Sequence, residues 1–149
     1  MIFDKSHSWS VILTTTIVYK HGRSIIHRGD PKIMKMVKEL KLKGLTIVVQ
    51  MSEAARKNAS KGGGWYRAGY FDARKNLIQV IGYGQTPKEI MRVVAHELGH
   101  AHHFQHKYAD FKKCTHMARE EYAHKIQAEL GYPTSGFNRA YYERRDRKC

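Results

Sequence analysis

The segment 86-TPKEIMRVVAHELGHAHHFQH-106 specifies a helix before it suggests any chemistry. Thr86 can cap, Pro87 suits the first helical position, and Glu89 completes a Thr-x-x-Glu capping box. Ile90, Val93, Val94 and Leu98 recur at helical spacing, so the helix is expected to run from Thr86 to His103 or His106. Within it lies HELGH, residues 96–100. An α-helix turns about 100° per residue, so His96 and His100 fall about 40° apart and one turn apart in height. Two imidazoles placed this way can share one ion. Glu97 follows the first imidazole and can reach a water that the ion activates without itself being a ligand, which is the position of a general base.

A catalytic zinc needs a third protein ligand. Three residues compete for that place: Glu120 and Glu121 in the downstream segment EEYAHKIQAEL, and His106, six residues after His100. The two glutamates differ by about 100° around their helix, so only one can face the ion. His100 and His106 have the outer spacing of HExxHxxGxxH, but His103 stands where that pattern has its turning glycine. On a continuing helix His106 lies about 120° from His100 and cannot close the site. His102 is expected to point to solvent, and His103 to flank the cleft beyond His100.

HELGH followed by a glutamate on a second helix resembles the gluzincin zinc metallopeptidases, and residues 64–130 resemble their small ImmA/IrrE-type or minimal-gluzincin members. In that group the glutamate helix often reads Glu-x-x-Ala-Asp/Asn with later Ala and Leu positions. Aligned on Glu120, the chain supplies Ala123, Ala128 and Leu130, and aligned on Glu121 it supplies none of these. The resemblance therefore selects His96, His100 and Glu120 as ligands of one Zn2+ per chain, with Glu97 as the catalytic base. It also implies peptide-bond hydrolysis and a strand, 77–81, that edges the cleft and pairs with substrate. His124 is a departure, because the pattern has Asp or Asn there to orient a ligand histidine. Tyr132, Tyr141, Tyr142 and His103 are candidates for stabilising the oxyanion.

The flanking sequence sets the fold class. Trp9 to Tyr19 alternates with period two and reads as a strand, and Ile25 and Ile26 suggest a short second one. Asp30-Pro31 starts an amphipathic helix through Ile33, Met36, Val37 and Leu40, which ends near Gly44. Leu45 to Met51 reads as a buried strand, residues 52–64 as a turn of helix followed by a glycine-rich loop, and Trp65 to Phe71 with Leu77 to Ile81 as a hairpin. Met117 to Leu130 is a helix stopped by Gly131 and Pro133, and Phe137 to Arg147 a last basic one. The expectation is one α+β domain over residues 1–149. It has a small mixed or antiparallel sheet in a zincin-like arrangement and a basic tail from about residue 134.

The 149 residues carry 27 basic against 13 acidic side chains, a formal charge of +14. Such a field attracts nucleic acid or acidic protein. No apolar run reaches the roughly 18 residues of a membrane span, and no signal-peptide pattern opens the chain. Cys114 and Cys149 make no disulfide framework, so a reducing, cytoplasmic setting is expected. The leading expectation is a zinc metallopeptidase acting on a protein or peptide, with an acidic or nucleic-acid-associated protein as substrate. The alternative is a noncatalytic basic protein of nucleic-acid binding or virion assembly, with a structural or vestigial metal site and aromatics that stack on bases.

Overall fold

The computed structural model describes residues 14–60, 68–134 and 149. Strand β1 (Thr16–His21) turns through Gly22 into β2 (Ser24–Arg28). Helix α1 (Pro31–Glu39) follows Asp30, whose carboxylate accepts from the backbone N–H of Lys32 and Ile33. Strand β3 (Thr46–Gln50), helix α2 (Glu53–Ser60), and strands β4 (Gly69–Asp72) and β5 (Leu77–Ile81) come next. Helices α3 (Pro87–His106), α4 (Tyr108–Lys113) and α5 (His116–Glu129) complete the described elements.

These form a mixed α+β fold around a five-stranded sheet of order β2-β1-β3-β5-β4. The inner strands β1, β3 and β5 are parallel, and each outer strand runs antiparallel to its neighbour. The parallel β1–β3 pair requires a crossover, which α1 supplies. Ile17, Ile47, Ile78 and Phe71 align across four strands, and Tyr19, Val49, Val80 and Gly69 form the next such row. Together with Ile33 and Val37 of α1 and Ile90, Val94 and Leu98 of α3, they build the core.

The capping box at Thr86 is formed as the sequence implies, with Thr86 N–H donating to Glu89 and Glu89 N–H to the Thr86 hydroxyl. Helix α3 then runs to His106. Four features differ from the sequence reading. Residues 53–60 make a full two-turn helix rather than a single turn. Tyr108–Lys113 is helical too, because six residues are too few for a period to register. Strand 77–81 is not the cleft edge: β5 pairs on both sides, and among the described residues β4 is the outer strand at this end of the sheet. The reason is topological, since the chain lays β4 outside and brings β5 back against β3.

The fourth difference concerns the cysteines. Cys114, which caps α4, is joined to Cys149 by a disulfide, although their 35-residue separation gave no sign of pairing. The expected strand residues 9–13 and 65–67, and the expected helix Phe137–Arg147, lie outside the described residues. Among the described residues no helix is long and apolar enough to cross a membrane.

Candidate metal centre

Two close approaches assemble the site, and each requires a glycine. A Cβ built on Gly99 would lie 2.8 Å from both the Cα and the carbonyl oxygen of Ala123. Only a bare backbone at this point lets α3 and α5 approach so closely. A Cβ on Gly69 would lie 2.7 Å from Val93 and 2.9 Å from the Gln79 carbonyl, so β4 can run directly beside the helical turn that carries Glu97. Thr115 starts α5 by accepting from Ala118 N–H, and Glu120 follows one turn before Ala123.

That packing brings the Glu120 carboxylate against both histidines of HELGH. Glu120 Oε2 lies 2.5 Å from His100 Nε2 and 3.2 Å from His96 Nε2. The three ligand atoms all fall within 4.8 Å of one another, with the side chains of His96 and His100 14% exposed and that of Glu120 20%. Two imidazole nitrogens and one carboxylate oxygen are a donor set that zinc accepts.

The ring orientation of His96 sharpens this reading. Gln127, 1% exposed, donates its amide N–H to the Tyr132 carbonyl and the Thr134 hydroxyl, which turns its Oε1 toward His96 Nδ1 at 3.0 Å. Nδ1 must then carry the proton, and neutral His96 presents a bare Nε2 lone pair to the Glu120 carboxylate. Two electron-rich atoms facing each other require a cation between them or a second proton on the ring.

The pKa directions express the same demand. Burial lowers the His96 pKa, but the hydrogen bond and charge of Glu120 outweigh it and the net shift is upward. Burial raises the Glu120 pKa, and the hydrogen bonds from His100 and His96 overcome it, holding the carboxyl far below the usual range. A divalent ion would replace the protons with one centre of charge.

Glu97 is buried and lines an open cleft of about 410 Å³ together with Gly69, Gln85, Glu89, Arg92, Val93, His96, Glu120, His124 and Gln127. Glu97 and two of the three clustered residues, His96 and Glu120, thus face one cavity beside β4. His124 packs its ring edge-on to His96 with centroids 4.5 Å apart. Burial, followed by the positive charge of His96, lowers its pKa to about 4, so it is a neutral ring at ordinary pH. The orienting role that the sequence pattern assigns to the His124 position falls instead to Gln127, one turn further along. A glutamine within a helix whose apolar residues follow no single face carries no local signal of that role.

The remaining candidates are accounted for elsewhere. Glu121 is exposed. His106 donates from Nε2 to the Leu40 and Lys41 carbonyls, tying the end of α3 to the end of α1. His102 is not free in solvent, because Tyr122 OH lies 2.7 Å from its Nδ1. His103 does not line the cleft: beyond His100 on the same helix, it is fully buried between Tyr122 and Phe111, with Nε2 2.8 Å from Asp110. Tyr132 packs against the core, and Tyr141 and Tyr142 lie outside the described residues. No protein-family model, curated protein or solved structure matches this chain.

Proposed function

We propose that this chain is a zinc-dependent metallopeptidase of gluzincin type. One observation carries the reading: Glu120 of α5 meets both HELGH histidines, while Glu97 opens into the same cleft beside β4, an outer strand of the described sheet. His96, His100 and Glu120 would hold zinc, which when bound would supply Lewis acidity at a scissile carbonyl and lower the pKa of a water to about 7.

The chain's own groups do the rest. Glu97 takes the proton of the attacking water and delivers it to the leaving amine. Gln127 holds His96 in the tautomer that offers Nε2. The edge of β4 binds an extended peptide through its backbone, with little demand on side-chain sequence. The formal charge of +14 favours acidic or nucleic-acid-associated proteins as substrates. A cytoplasmic location belongs to the same proposal, and it requires Cys114 and Cys149 to be thiols there.

The test pairs elemental analysis with cleavage of a denatured acidic protein. Wild type is expected to hold zinc and cleave. Glu97→Gln should hold zinc and lose cleavage by about 10²- to 10⁴-fold, and Glu120→Ala should lose both. Absence of zinc from wild type after zinc is offered, or unchanged cleavage in Glu97→Gln, would refute the proposal. Salt-sensitive nucleic-acid binding that ignores Glu97→Gln would favour the noncatalytic alternative.

A further inference from the structure

A second group of metal-binding side chains lies about one turn beyond His100, toward the C-terminal end of α3. His103 is buried near its C-terminal end, Asp110 sits on α4, and Cys114 caps α4, with their ligand atoms all within 4.8 Å of one another. Cys114 Sγ lies 3.9 Å from His103 Nε2 and 3.6 Å from Asp110 Oδ2. The disulfide brings a fourth potential ligand, Cys149, to the same point.

Four donors of types S, S, N and O form a complete set for a four-coordinate structural zinc site, in contrast to the three-ligand group one turn back along the helix. With zinc bonds of about 2.0 to 2.3 Å, tetrahedral ligands lie roughly 3.3 to 3.8 Å apart. The two sulfur distances are close to that spacing. The remaining pair, His103 Nε2 and Asp110 Oδ2 at 2.8 Å, is held together by a hydrogen bond; a metal would take Nε2 and leave the single ring proton of neutral His103 on Nδ1. The His103 ring is already fixed by stacking on Tyr122, with centroids 3.9 Å apart, and by the edge of Phe111. Two thiolates, a carboxylate and Zn2+ leave one net negative charge, and Lys112, Lys113 and Arg119 stand on the elements around it.

We infer that the reduced protein binds a second, structural zinc ion through His103, Asp110, Cys114 and Cys149, and that oxidation to the disulfide releases it. A dithiol reductant delivers two electrons and two protons to the sulfur–sulfur bond. That bond breaks, two thiols form, and the reductant closes into its own disulfide. Zinc then displaces one proton from each thiol to solvent. In the reverse direction a disulfide oxidant takes the two electrons, the Cys114–Cys149 bond re-forms and the ion leaves, because a disulfide sulfur is not a thiolate ligand.

The test uses the full chain, with zinc and cobalt(II) as probes. Reduced wild type is expected to bind one equivalent of zinc more than oxidised wild type. Its cobalt form should show a thiolate-to-cobalt charge-transfer band, which the sulfur-free site at His96 cannot produce. Cys149→Ser and Asp110→Asn should each lose the additional equivalent or weaken it at least tenfold, and His100→Ala should leave the band intact. Equal zinc content in the two redox states of wild type, or cobalt binding without the band, would overturn the inference. Because the band needs no variant and reports only this site, failure here is distinguishable from failure of the site at His96.

Discussion

Replacing Gly99 with alanine tests whether the approach of α3 to α5 sets the metal site. Alanine is the better helix former, and in a helix interior the change should stabilise by about 1 kcal/mol if nothing opposed it. Here the added methyl would lie 2.8 Å from two backbone atoms of Ala123, and ordinary contact begins at 3.4 Å, so the helices must separate by about 0.6 Å. Overpacking of this kind costs about 1–3 kcal/mol, which cancels or outweighs the propensity gain. The net expectation is destabilisation by roughly 0–2 kcal/mol, the difference between those two ranges.

Glu120 lies one turn from Ala123 on the face toward α3, so the same displacement carries its carboxylate away from His96 and His100. A loss of about tenfold in zinc affinity is expected, the lower end of what a disturbed supporting residue costs. The assays are thermal unfolding of the metal-free protein and chelator competition for zinc. Because the clash is with backbone atoms of Ala123, Ala123→Gly in the same chain should not restore affinity. A Gly99→Ala protein with raised melting temperature and unchanged zinc affinity would refute the reasoning.

Gln127→Leu should weaken zinc by about 10- to 100-fold while leaving the fold intact, since it removes the acceptor that fixes the His96 tautomer; unaltered affinity would mean the amide has no orienting role. His106→Ala should keep full zinc and cost about 1 kcal/mol in urea unfolding, through loss of its hydrogen bonds to the Leu40 and Lys41 carbonyls. Zinc loss in that variant would contradict its placement at α1. In the metal-free protein the His96 pKa is raised, so a proton competes with zinc. Affinity at the His96 site should therefore begin to fall at a pH above 6.5 as the solution is acidified, and a pH series of zinc competition on the Cys149→Ser chain measures the onset.

Local sequence determined whatever depends on neighbours within one or two turns. Thr86, Pro87 and Glu89 define the start of α3 because capping is a contact over three residues. His96, Glu97 and His100 were legible because helical geometry alone puts the imidazoles on one face. The strands β3 and β5, and the α1 start at Asp30, follow from equally local patterns. Glu120 needed a resemblance to be preferred over Glu121, since nothing in EEYAHKIQAEL itself says which glutamate looks inward.

Tertiary structure alone decided the rest, because it depends on which atoms meet across 20 or more residues. The glycine of HELGH is required by the backbone of Ala123, and Gly69 by Val93 and Gln79, partners that no local window contains. Gln127 reaches His96 across 31 residues and takes the role sought at His124. Placing β4 rather than β5 at the sheet edge is a matter of strand order. His103 and His106 belong to the same histidine-rich run as His100, yet the rotation of α3 and the elements packed around it send one into a buried pocket with Asp110 and the other to the end of α1. A helix fixes angles along its own axis, and only its neighbours fix what each angle faces.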